Sequence, residues 1–118
     1  MRMLLLALAV LAAGLGTGSG LARAADPDPE RGGKLFKRYC AGCHGADGRG
    51  GAHTFMPHIE NLTKQGYVEN LPDEYLVQVI TEGGVAVNKS SYMPAWGTTL
   101  TPEQIADLVA YIRRLPSY

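Results

Sequence analysis

Cys40-Ala41-Gly42-Cys43-His44 is the stretch from which the rest of this chain is best read. It contains both cysteines of the 118 residues, separated by two residues, with an imidazole directly after the second. At that spacing two thiols add to the vinyl groups of a haem while the histidine ligates its iron. Three other readings use the same residues. A thioredoxin-like dithiol belongs after a strand, at a helix start within a βαβ pattern, and no strand precedes Cys40. A zinc site would pair Cys40 and Cys43 with His53 and His58, but the nine residues from His44 to Ala52 are a shorter gap than the usual roughly 12 to 15. A disulfide between the two cysteines would close too small a loop to stabilise much. Covalent haem is the reading that the motif favours.

Outward toward the N-terminus, Met1-Arg2-Met3 gives one positive charge, and residues 4–13 run uncharged through leucine, alanine and valine. Gly14 to Gly20 loosens the chain, and Ala22-Arg23-Ala24 places small residues two apart. This pattern is that of a cleavable secretory signal peptide over residues 1–24, cut between Ala24 and Ala25. An uncleaved anchor fits less well, because the apolar run is shorter than the roughly 20 residues needed to span a bilayer. Export suits haem attachment, since the thiols meet haem outside the cytoplasm and no third cysteine can mispair. The expected location is periplasmic, with no membrane span in the mature chain.

Residues 25–118 then form one small domain. The whole chain balances 11 basic against 11 acidic residues, and loss of Arg2 and Arg23 leaves the mature part near −2. Such a balance predicts neither nucleic acid nor an anionic membrane as a partner. A chain this short is marginal alone, and a large apolar group bound only by the folded state would stabilise it.

Helical signals occupy most of the mature chain. Asp28 is a good N-cap, Pro29 suits the first helical position, and Leu35, Phe36, Tyr39 and Cys40 share a face, so a first helix should deliver Cys40 to the haem. Gly32, four before Phe36, costs helix propensity and predicts a close helix contact. Arg31, Lys34, Lys37 and Arg38 form the other face, read as solvated. Gly45 to Gly51 is irregular, and with neither a preceding strand nor a following Lys-Ser/Thr pair it is no phosphate loop. A second helix spans Leu71 to Glu82, with Pro72, Asp73 and Glu74 in its first turn, Leu76, Val79 and Ile80 as its buried stripe, and Gly83-Gly84 as its stop. The last helix starts at Thr101 with Pro102 and a capping box to Gln104, buries Ile105, Leu108, Val109, Ile112 and Leu115, and ends in Arg113-Arg114. No segment alternates like a strand, so the expected fold is all-α. Two Met-Pro pairs interrupt the helices, Met56-Pro57 and Met93-Pro94. Met56, His58 and Met93 are all conceivable iron ligands.

Cys40-x-x-Cys43-His44 near the mature N-terminus, Met93 in a loop after the second long helix, and a final helix carrying Leu108-Val109-Ala110-Tyr111 together resemble the class I c-type cytochromes. The Met-Pro-Ala-Trp-Gly loop is similar to that of the small bacterial branch and of cytochrome domains in some terminal oxidases. The resemblance covers nearly all of the mature chain. It implies a small cytochrome c-like fold of helices around one haem c held by two thioethers. It implies crossing of the first and last helices through Gly32, Phe36, Leu108 and Tyr111. It also implies that the Pro57 carbonyl accepts the His44 Nδ–H, which fixes the ring and raises its basicity and keeps Met56 and His58 on the proximal side.

Met93 is then the sixth ligand, with Pro94 restricting its backbone, and His44/Met93 ligation raises the potential. Trp96 and Tyr92 would wall the haem crevice, Trp96 as a donor to a haem carboxylate, and Asn88 would orient the sulfur; His53 is read as a surface residue. With both axial positions filled, the implied function is outer-sphere shuttling of single electrons, not enzymatic catalysis. Electrons would leave near Cys40, Ala41, Cys43 and the Met93 to Trp96 loop. Partners would be transient redox proteins, a dehydrogenase, oxidase or reductase, met through a small interface. The alternative is a haem enzyme or gas-binding sensor whose sixth iron position is open or labile.

Overall fold

The computed structural model describes Gly20 and residues 24–51 and 59–118. Residues 1–19 and 21–23 of the signal segment, and His53, Met56, Pro57 and His58, lie outside the described residues. Among the described residues four α-helices follow in order: α1 Pro29–Tyr39, α2 Ala41–His44, α3 Asp73–Glu82 and α4 Pro102–Ile112, with single 3-10 turns at Val68–Asn70 and Gly84–Val87. There is no strand among the described residues, in line with the all-α expectation.

The helix ends are set by local chemistry. The Asp28 carboxylate accepts from the Glu30 amide at 2.8 Å, occupying one of the N–H groups that the first turn of α1 leaves without a helical partner. At α4 the capping box is complete: the Gln104 amide donates to Thr101 Oγ1 at 3.2 Å and the Thr101 amide to Gln104 Oε1 at 2.9 Å. Helix α3 begins at Asp73, two residues later than expected. Pro72 is extended, at φ −68 and ψ 154, and is the N-cap, not a first-turn residue, leaving Asp73 and Glu74 to face the positive helix end.

α1 and α4 cross at the centre of the fold. A Cβ on Gly32 would overlap the Asp107 carbonyl oxygen and come 2.9 Å from Tyr111 Cβ, so only glycine permits this approach. Phe36 and Tyr111 pack with ring centroids 5.2 Å apart, and Phe36 and Leu108 are fully buried at 1% and 0% exposure. Cys40, Val68, Leu100, Ile105, Val109 and Ile112 complete the core together with Leu76 and Ile80 of α3, and Val79, Tyr75 and Leu115 are half-buried against it.

Asp107, buried beside Gly32, carries a charge whose role the pattern of the sequence does not disclose. It accepts from the Asp28 amide at 2.6 Å and from Arg31 Nε at 2.9 Å. Burial alone would raise its pKa, but the Arg31 hydrogen bond, the Asp28 amide and the Arg31 charge outweigh that and hold it below the ordinary carboxylate value. Arg31 therefore does not belong to the freely solvated face to which helical spacing assigns it; it locks the start of α1 onto α4. At the other end of α4, Arg113 donates to Asp73 Oδ1 at 2.8 Å and also to the Val68 and Leu71 carbonyls. It ties the end of α4 to the start of α3.

Candidate functional site

Cys40 ends α1, its amide donating to the Phe36 carbonyl at 2.9 Å, and the chain rewinds at once into α2. The Cys43 and His44 amides both donate to the Cys40 carbonyl, at 3.1 and 2.9 Å. One turn of backbone thus holds two thiols and an imidazole in a fixed relation, with Cys40 buried, Cys43 and His44 half-buried, and both thiols free. The loop beyond is tied back by the Gly50 amide on the His44 carbonyl at 2.7 Å and the Leu62 amide on the Gly48 carbonyl at 2.8 Å.

Burial depresses the His44 pKa below its ordinary value, which favours the neutral imidazole, the form that binds metal. Its ring lies 6.4 Å from that of Phe36. Its Nδ1 is buried and has no hydrogen-bond partner among the described residues. Buried ring nitrogens are ordinarily satisfied, so this atom marks a place where a partner belongs. Burial, with the neighbouring Cys43 charge second, pushes the Cys40 thiol up to about 11, so it stays protonated at neutral pH in this arrangement.

The Met93 segment lies against the C-terminal end of α3. The Gly84 amide donates to the Met93 carbonyl at 3.0 Å, the Trp96 amide to the Ile80 carbonyl at 2.9 Å, and the Gly97 amide to the Thr81 carbonyl at 3.0 Å. Met93 is half-buried against the core, while Tyr92 is 76% exposed. Asn88 is exposed and left-handed, at φ 58.

Tyr39 and Trp96 bring the two segments together, their ring centroids 5.2 Å apart. Tyr39 immediately precedes Cys40 and Trp96 follows Met93 by three, so this contact joins the cysteine turn to the methionine loop. Of the sequence-derived residues, Cys40, Cys43 and His44 share the cysteine turn, and Met93 and Trp96 share the loop that meets it at Tyr39. Pro57 falls outside the described residues. The Tyr39–Trp96 contact has no signature in the sequence, where the helical spacing of Tyr39 marks only a buried face. Gly83 and Gly84 likewise signal a helix stop and nothing more.

These residues fit a haem. Two thiols one turn apart, a half-buried neutral imidazole whose Nε2 can ligate while its Nδ1 awaits a hydrogen-bond acceptor, and a thioether on a neighbouring loop are the groups that such a cofactor uses. A family model described as cytochrome C oxidase, cbb3-type, subunit III, matches residues 27–112. The cbb3-type cytochrome c oxidase subunit FixP of Azorhizobium caulinodans is 33% identical over 86 residues, covering 73% of this chain and 27% of that protein. Cytochrome c6 of Bryopsis maxima is 33% identical over 83 residues, 70% of this chain and 86% of its own length. Among solved structures, the c-type cytochrome KustC0563 superposes with a TM-score of 0.63 at 26% identity, over 73% of this chain and 98% of that one. Cytochrome cL of Methylophaga aminisulfidivorans does so with a TM-score of 0.57 at 26% identity, over 75% and 53%. The chain therefore spans little more than a quarter of FixP but most of a small cytochrome. It belongs to the c-type cytochromes, in the family described as cytochrome c oxidase, cbb3-type, subunit III.

Proposed function

We propose that residues 25–118 form an exported, periplasmic carrier that moves single electrons between redox partners through one haem c with His44 and Met93 as axial ligands. The observation that carries this reading is the Tyr39–Trp96 contact at 5.2 Å. It brings the turn bearing Cys40, Cys43 and His44 alongside the loop bearing Met93 in a single small fold.

A haem bound here supplies a one-electron couple whose potential is set by its axial donors. Cys40 and Cys43 hold the group by thioethers. His44 contributes a neutral imidazole, and the Pro57 carbonyl accepts its Nδ1–H, which supports ring orientation and basicity. Met93 contributes a thioether, and Trp96 walls the crevice against Tyr39. With His44 and Met93 both ligating, the iron would have no position open to substrate, and the protein would act as a carrier instead of an enzyme. Residues 1–24 serve as its signal peptide.

The relatives support oxidase and dehydrogenase partners: FixP is a subunit of an oxidase, and a nicotinate dehydrogenase subunit of Pseudomonas putida is 34% identical over 84 residues. No helix among the described residues is long and apolar enough to cross a membrane. Carbon monoxide binding to the reduced protein at neutral pH tests the reading. The expected result is no binding to the wild type and binding to Met93→Ala with haem still attached. Ready binding to the wild type would favour the alternative of an open-site enzyme or gas sensor.

A further inference from the structure

We propose that Gly83 and Gly84 are positioning residues for Met93, forming a seat that holds the methionine loop in place independently of any bond to iron. The inference rests on the reading of Met93 as the sixth ligand and adds what keeps it there.

Gly83 has φ 87 and ψ 171, a combination essentially restricted to glycine. With it the chain leaves α3 and doubles back against the incoming loop. A Cβ at Gly83 would lie 3.0 Å from the Met93 carbonyl oxygen and 3.1 Å from the Ala95 amide nitrogen. A Cβ at Gly84 would overlap the Ser90 carbonyl oxygen and come 3.2 Å from Met93 Cβ. Both glycines are buried.

The missing side chains let two backbones meet, and the Gly84 amide uses that approach to bond the Met93 carbonyl at 3.0 Å. The Trp96 and Gly97 amides fasten the far side of the loop to the last carbonyls of α3. Those carbonyls would otherwise lack helical partners, so the end of α3 and the loop satisfy each other. Methionine is thereby bracketed on both sides, by bonds to the end of α3 and to the 3-10 turn that directly follows it. Dissociation of the sulfur leaves the loop where it was, and recapture competes with any outside ligand.

The test uses ferric holoprotein and exogenous imidazole. An outside ligand binds only the form with the sulfur off the iron, so its apparent affinity reports the population of that form. Gly84→Ala should keep haem attached, weaken the near-infrared band of sulfur-bound ferric iron and raise apparent imidazole affinity about tenfold. Gly97→Ala, whose Cβ would meet Thr81 Cγ2 at 2.8 Å and the Thr81 carbonyl oxygen at 2.9 Å, is a milder change than the overlap at Gly84 and should raise it about threefold. Asp107→Asn, which loosens the α1–α4 crossing, should lower thermal stability and leave imidazole affinity at the wild-type value.

Wild-type affinity in both glycine variants would overturn the proposal. So would an equal rise in Asp107→Asn, which would trace the effect to general loosening. A wild type with no sulfur band, whose imidazole affinity Met93→Ala leaves unchanged, would instead remove the ligand assignment and the seat with it.

Discussion

The α1–α4 crossing and the α3–Met93 contact both depend on glycines where no Cβ fits, yet they are secured by different means. At the crossing, Gly32 lets side chains finish the work. Phe36 and Leu108 are almost wholly buried, and Asp107 binds Arg31 and the Asp28 amide across the two helices. At the methionine loop the joint is backbone to backbone, through Gly84, Trp96 and Gly97 amides, and the side chains there remain half-buried or exposed. Apolar burial, with a buried Asp107 carboxylate satisfied by hydrogen bonds from the Asp28 amide and the exposed Arg31, stabilises the fold as a whole. A bracket of backbone bonds adds less to global stability but fixes one segment closely. The first joint should therefore govern stability, and the second the environment of the iron.

Substitutions can break this division, and the largest effects belong to the crossing. Phe36→Ala should cost about 3–5 kcal/mol in denaturant unfolding, since it opens a cavity between α1 and α4. Gly32→Ala should cost on the order of 3 kcal/mol, because the new methyl must push back the α4 backbone at Asp107. If either variant keeps wild-type stability, the crossing is not the centre of the fold. Asp107→Asn should cost about 1–2 kcal/mol by weakening the hydrogen bonds that its charge now accepts.

The same residue implies a pH dependence. Its native pKa lies below the unfolded value, so its contribution is complete above roughly pH 4 and is lost as pH falls through the native pKa. Asp107→Asn should remove that part of the acid sensitivity, which stability measured at neutral and at strongly acid pH will show. Thr101→Ala should have the smallest effect, about 1 kcal/mol, confined to the α4 cap. Gly32→Ala, Asp107→Asn and Thr101→Ala should leave ligand binding at the iron unchanged in protein that remains folded, whereas Phe36, whose ring lies 6.4 Å from that of His44, borders the site.

The sequence is most informative where chemistry is local. Asp28, Thr101 and Gln104 announce helix starts because capping depends on residues within one turn, and all three perform as their positions predict. Cys40-x-x-Cys43-His44 is legible for the same reason. Gly32 also betrays itself, since a glycine on a buried helical face needs a partner at close range.

The partners themselves are nonlocal and less legible. Arg31 lies on a face that spacing reads as solvated, and only the fold brings it to Asp107, 76 residues away. Arg113 likewise resembles a dipole-balancing residue until the α3 start is seen beside it. Gly83-Gly84 reads as a helix stop because no periodicity shows that the stop is also a surface for another segment. Tyr39 and Trp96 have α2 and α3 between them in the chain, and no local pattern pairs them.

The central claim is His44/Met93 ligation, and the near-infrared absorption of the ferric, haem-bearing protein tests it most directly. The expected result is the weak band of methionine sulfur on low-spin iron in the wild type and its loss in Met93→Ala with haem still covalently attached. A haem-bearing wild type without the band, or a Met93→Ala variant that retains it, would contradict the assignment.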